Sequence, residues 1–210
     1  MDAATGWTAI VPVRGFGTAK SRLRPDLPAS TVSDIARRLA QGCVRTLKRA
    51  AQVDEVIVVS DVAVQEHFPD AQVTFLVQQV GGGLNGAVRE GLALAARRSP
   101  HAPRLVIHAD LPGINPQAVD SLLADLPTGG KDVYIPDRAG TGTTALTLRA
   151  GSRRPVGFGV GSAARHLALG YAPVRLPADS VLRNDLDTLE NLRALRWGST
   201  IDLFSENPAA

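Results

Sequence analysis

The chain lacks most of what other functional classes require. Its 210 residues contain one cysteine, Cys43, so no internal disulfide forms and a small secreted scaffold is excluded. Aromatic residues make up only 4%, and none are interleaved with Lys or Arg as a base-stacking platform would need. The 23 basic residues include only three lysines and are offset by 20 acids, leaving a formal charge of +3. They are scattered rather than gathered into a stripe, so no nucleic-acid partner is expected. No run of about 18 apolar residues occurs, and no basic segment leads into an apolar one at the start, so the expectation is no membrane span, no leader and a cytoplasmic protein. Small anionic ligands suit this charge pattern better.

What the chain does have is alternation. Apolar runs bounded by turn residues recur at "WTAIVPV", "VDEVIVVS", "VTFLVQ", "RLVIHAD", "KDVYIP" and "TTALTL", the first four separated by helix-like segments. Residues 30–51 place Ile35, Leu39, Cys43 and Leu47 on one helical face, and Asn115 before Pro116 reads as a cap and first helical residue. The fold class expected is α/β: a mainly parallel, Rossmann-like sheet with helices on both faces, in a single domain over residues 1–198. Residues 137–185, rich in Gly, Thr and Ser, are expected to form acceptor-binding loops or a lid over one end of the sheet. Residues 199–210 read as a flexible tail.

Ligands of such sheets collect at the carboxyl ends of the strands, and the chemistry-bearing residues fall there. In "PVRGFGTAKSRL" the backbone at Gly15 and Gly17 can approach an anion while Arg14, Lys20 and Arg22 supply charge to a polyphosphate; the spacing is not that of a Walker A loop. "GGGLNGAV" offers Gly83 and Asn85, whose carboxamide suits a purine edge or ribose, or else a helix cap. Asp110 ends "RLVIHAD" and is a candidate Mg²⁺ ligand. His108, two residues earlier, is left out as packed. "RNDLDT" supplies Asp185 and Asp187 as further metal candidates, Asp187 having a rival role in a capping box with Glu190. "PDRAGTGTTAL" and "FGVGSAARH" read as two further anion nests, with Thr143, Thr144, Gly159 and Ser162 as donors. One nest for a triphosphate and others for a second anion suggest a transferase joining two phosphorylated molecules.

The ordered set "PVRGFGTAKSRL", "GLNGAV", "ADLP", "PDRAGTGTTAL", "FGVGSAARH" and "DLDT" resembles the phosphoenolpyruvate or 2-phospho-L-lactate guanylyltransferase family of coenzyme F-420 biosynthesis, over residues 8 to about 195. The resemblance implies a nucleotide-diphospho-sugar transferase-like fold, GTP as donor, Mg²⁺, and a phosphorylated three-carbon acid as acceptor, with phosphoenolpyruvate favoured. It also implies Asp110 and Asp185 as metal ligands, Thr143, Gly159 and Ser162 as acceptor contacts, and Lys20 in the nucleotide loop. Leu189 and Asn191 depart from the family's pattern after "DLDT", which weakens Asp187 more than Asp185. A nucleotidyltransferase for a molybdopterin or sugar phosphate, and a GTP-binding regulatory protein without turnover, are the rival readings. Whether the chain forms a homodimer is left open.

Overall fold

The structure, a computed structural model, describes residues 6–68, 73–79, 81–126 and 130–198; the expected tail, 199–210, lies outside them. Strands β1 (Trp7–Val13), β2 (Val53–Ser60), β3 (Thr74–Val77) and β4 (Arg104–Ile107) alternate with helices α1 (Ala29–Arg49) and α2 (Gly83–Arg98). After α3 (Pro116–Ala124) come β5 (Val133–Pro136), β6 (Thr143–Leu148), α4 (Ser162–Ala168), β7 (Ala172–Pro173) and α5 (Leu189–Gly198).

These segments form their elements for local reasons. In α1 the residues Val32, Ile35, Ala36, Leu39, Ala40, Cys43, Val44 and Leu47 are all buried, the 3.6-residue stripe of an amphipathic helix. Lys48 and Arg49 in its last turn complement the helix dipole. Asn115 caps α3 by accepting from the Ala118 amide at 2.9 Å, with Pro116 opening the helix. The thiol of Cys43 is buried and pushed up to about 12 by that burial, so it is a packing group and not a nucleophile.

The sheet runs β3-β2-β1-β4-β6-β5-β7. Pairings β3-β2, β2-β1, β1-β4 and β5-β7 are parallel, whereas β6 is antiparallel to both β4 and β5. Ala9, Val11 and Val13 of β1 join one core layer with residues of α1 and α3, while Ile10 joins the opposite layer with residues of α2 and α4. Burial on both faces is why these strands read as continuous apolar runs. The chain winds outward from β1 to β3 and then returns to β4 on the other side of β1, so the carboxyl ends of β1 and β4 flank the switch point where α/β sheets bind ligands.

Residues 137–185 contain the strand expected at "TTALTL", but it is placed within the sheet. Strand β6 lies inside the sheet and is buried at every residue. Because it runs antiparallel to β4, its first residue, Thr143, lies at the same rim as the carboxyl end of β4. The β5-β6 register shifts between Ile135 and Pro136, a bulge that re-aims the side chains beside it.

Candidate active site

The loop after β1 is held at both ends. The Gly15 amide donates to Asp61 Oδ1 at 2.7 Å, and the Thr18 and Ala19 amides donate to the Gly15 carbonyl at 2.9 and 3.2 Å. The Arg24 guanidinium donates to the Gly17 carbonyl. Downstream, Leu23 is fully buried in a small cluster with Val32, Ile35, Leu39, Leu186 and Leu192. Between these anchors Lys20 adopts φ 52°, the left-handed region that side chains other than glycine rarely occupy. That backbone turns its ammonium into the cleft, where Nζ donates to Asp110 Oδ2 at 2.6 Å and Asp187 Oδ1 at 3.0 Å.

The carboxylates arrive from two segments. Asp110 follows β4, and its carbonyl accepts from the Leu186 amide at 3.0 Å. With Leu186 fully buried, the residues on either side of it, Asp185 and Asp187, line the cleft. Asp187 also accepts from Arg22 at 3.3 Å. The capping box expected between Asp187 and Glu190 is instead formed by Thr188 and Asn191. The Asn191 amide donates to Thr188 Oγ1 at 3.2 Å, and Asn191 Oδ1 accepts from the Thr188 amide at 3.0 Å. The departure at Asn191 thus supplies the cap and leaves the Asp187 carboxylate to Lys20 and Arg22.

The electrostatics follow from Lys20, buried between Asp110 and Asp187, with Asp185 close by. Burial opposes the charge on Lys20, but Asp110 and Asp187 outweigh it and hold the ammonium above its ordinary value. Burial likewise opposes the charge on Asp110, and Lys20 outweighs it, so this carboxyl lies below the usual range. Asp185 has no such partner: burial, then the charges of Asp110 and Asp187, push it up to about 6. Asp110 Oδ1 is buried with no hydrogen-bond partner. Among the described residues no three His, Cys, Asp or Glu side chains form a ready-made metal cage. The unpartnered oxygen and the excess negative charge nonetheless fit Mg²⁺, which takes one or two carboxylates and completes its shell with phosphates and water.

The opposite rim carries neutral donors. Residues Gly159, Val160, Gly161 and Ser162 line the cleft. Gly159 at φ 118° and Gly161 at φ 69° adopt conformations that favour glycine. Among the described residues the amides of Gly159, Val160 and Gly161 have no hydrogen-bond acceptor, so this nest is open. The nest expected in "GTGTT" is not open. Asp137 accepts from the Thr141 and Gly142 amides, both at 2.9 Å, and so fills it with the protein's own carboxylate. Thr143 lines the cleft, and its Oγ1 lies 2.9 Å from His166 Nδ1.

Other expected donors are used elsewhere in the fold. Thr144 is turned away beside the bulge, and its hydroxyl donates to the Leu182 carbonyl at 2.6 Å. Asn85 reads neither a ligand nor its own helix end: its carboxamide accepts from the Phe158 amide at 2.8 Å and donates to the Phe158 carbonyl at 3.0 Å. It therefore braces the 157–162 loop. Gly15 and Gly17 do not line the cleft, whereas Arg14, Lys20, Arg22 and Gly83 do.

One cleft of about 890 Å³ therefore brings together Arg14, Lys20, Arg22, Gly83, Asp110, Asp185, Asp187, Thr143, Gly159 and Ser162. It also contains residues the sequence reading passed over. His108, set aside as packed, lines the cleft, and its Nε2 is buried without a partner. Asp61 and Asp137 line it too; Asp61 stands at a strand end, a position that could have flagged it.

Comparison with known proteins places the chain in a family. Residues 31–183 match the MobA-like NTP transferase domain family. The chain is 38% identical over 202 residues to a phosphoenolpyruvate guanylyltransferase of Sphaerobacter thermophilus, covering 94% of this chain and 96% of that one. It is 34% identical over 189 residues to the phosphoenolpyruvate guanylyltransferase of Streptomyces coelicolor, covering 90% and 89%. The chain belongs to the phosphoenolpyruvate guanylyltransferase family. As a member of that family it is a nucleotidyltransferase enzyme. A solved 4-diphosphocytidyl-2C-methyl-D-erythritol synthase shares the fold, with a TM-score of 0.60 at 17% identity over 93% of this chain and 98% of that one. A nucleotidyl transferase from Methanothermobacter shares it at a TM-score of 0.56 and 17% identity, over 90% and 95%.

Proposed function

We propose that this guanylyltransferase joins GTP to phosphoenolpyruvate, with 2-phospho-L-lactate the next acceptor, in coenzyme F-420 biosynthesis. The observation that carries this reading is the division of the cleft between the charged Lys20, Asp110 and Asp187 cluster and the open amides of Gly159, Val160 and Gly161. An acceptor phosphate oxygen attacks the α-phosphorus of GTP, the bond from that phosphorus to the bridging oxygen breaks, and pyrophosphate leaves.

The residues present suit a role in positioning and charge neutralisation. Arg14, Lys20 and Arg22 balance the triphosphate, while the 159–161 amides and the hydroxyls of Thr143 and Ser162 orient the acceptor. Asp110 and Asp185, with Asp187 beside Lys20, would hold Mg²⁺. When bound, the ion supplies charge neutralisation at the phosphate oxygens. No covalent nucleophile is needed, and Cys43 is buried away from the cleft.

The test is pyrophosphate release across the four nucleoside triphosphates and a panel of phosphorylated acids and sugar phosphates, with Mg²⁺ and with chelator. GTP with phosphoenolpyruvate in Mg²⁺ should give the highest kcat/KM, and chelator should abolish turnover. A preference for a sugar phosphate would overturn the acceptor assignment, and GTP binding without any turnover would support a regulatory protein.

A further inference from the structure

His166 is fully buried yet bonded through both ring nitrogens. The Gly157 amide donates to Nε2 at 3.0 Å. A backbone N–H can only donate, so Nε2 carries a lone pair and the proton of the neutral ring resides on Nδ1. Nδ1 faces Thr143 Oγ1 at 2.9 Å, so the ring donates and the threonine oxygen accepts. A hydroxyl has one proton, and among the described residues no acceptor for that of Thr143 is found. Thr143 lines the cleft, so the proton is directed there.

We propose that His166 is a positioning residue: the Gly157 amide fixes its tautomer, and the ring, by donating to Thr143, leaves the hydroxyl proton of Thr143 free for the anionic acceptor. The chain of bonds runs from the 157–162 loop, through the ring, to the first residue of β6. It links the open amide nest to the Thr143 hydroxyl on the same rim, so the two sets of donors are held together. Thr143 and Thr144, neighbours along β6, go to different partners, Thr143 to His166 and Thr144 to Leu182, as alternation along a strand allows. The rings of Phe158, Tyr134 and Tyr171 enclose the imidazole at 5.1 to 6.1 Å between centroids and hold its plane.

The proposal rests on Thr143 contacting the acceptor, as in the function proposed above, and two experiments separate the two. The first is the ¹⁵N spectrum of the histidine imidazoles in the full chain without substrate, which should show a protonated Nδ1 and an unprotonated Nε2 for His166. A proton on Nε2 overturns the proposal while leaving the guanylyltransferase reading intact.

The second is a kinetic cycle with phosphoenolpyruvate, using Thr143→Val, His166→Phe and the double variant, with His166→Asn as the conservative control. Each single change should raise the KM for phosphoenolpyruvate about tenfold or more, as expected for a lost hydrogen bond to a charged group, with the KM for GTP within about twofold. The double variant should be no worse than Thr143→Val alone, because the ring acts through that hydroxyl. Asn, whose amide can still donate near the Nδ1 position, should recover most of the loss. Multiplicative losses in the double variant overturn the relay and leave Thr143 at the acceptor. A silent Thr143→Val overturns both.

Discussion

The two rims of the cleft solve the problem of binding phosphate in opposite ways. On the Lys20 side Lys20, Asp110 and Asp187 are charged and paired with one another, and the segments that carry them are anchored by a small separate cluster around Leu23 and Leu186. On the Gly159 side they are neutral amides and hydroxyls anchored on the main sheet and on α4. Charges that must exchange partners when a metal-bound triphosphate arrives are placed on the less extensive support, whereas preorganised dipoles that need not rearrange are built on the rigid one. The first rim suits charge neutralisation and the second suits selection of the acceptor.

If that division holds, the largest effect belongs to the charged rim. Asp110→Asn should lower turnover by on the order of 10² or more, as removal of other transition-state charge stabilisers does, while thermal denaturation shows the fold retained. It removes a candidate metal ligand while Lys20 stays paired with Asp187, so added Mg²⁺ should not restore activity. Turnover within a fewfold of the parent would make the two rims equivalent and remove Asp110 from the chemistry.

An intermediate effect is expected across the cleft. Ser162→Ala should weaken the acceptor interaction by about 1.5–3 kcal/mol, the range for a hydrogen bond to a charged group, and leave GTP binding in the absence of acceptor unchanged. A shift in GTP affinity instead, with acceptor KM intact, would mean that the neutral rim holds the nucleotide.

The smallest effect is on stability and sharpens the comparison from below the cleft. His166 is depressed to about 4, by burial first and then by the charge of Arg165, against an ordinary value near 6.5. Between these values the unfolded chain binds a proton that the folded chain does not, so the contribution is complete above pH 6.5 and is lost as pH falls toward 4. Denaturant midpoints at pH 7 and pH 5 should therefore diverge more for the parent than for His166→Phe. A His166 ring that titrates near 6.5 in the folded protein would contradict this.

The physical reasons for what could be read in advance are local. Strand and helix alternation, the stripe of α1 and the Asn115 cap are written in residue spacing, because helix and strand periods select which side chains face the core. Asp110 was legible from its place after β4, Lys20 from the glycine-bearing segment after β1, and Asp185 from the paired acids of "RNDLDT", and all three line the cleft. What failed was the fate of individual donors. Asn85, Thr144 and the amides of Thr141 and Gly142 all have the right chemistry, but each is satisfied by a group distant in sequence or brought round by a turn. A hydrogen-bond donor does not disclose its partner in one dimension. His108 shows the same limit, since a lone histidine in an apolar stretch reads as packing until its ring nitrogens are located in three dimensions.

The sequence by itself determined the α/β class, the helix that covers β1 and β2, and the supply of acids and glycines at the strand ends, since all of these follow from backbone propensity and the burial of regularly spaced apolar side chains. Only the tertiary structure decided that β6 runs antiparallel, which puts Thr143 beside the end of β4, and that Thr143 meets His166 while Thr144 bonds Leu182. It alone decided that one lysine is shared by Asp110 and Asp187. Strand direction, bulges and ion pairing across 90 and 167 residues depend on which distant segments pack together, and the energy that selects them arises only when the whole sheet is assembled.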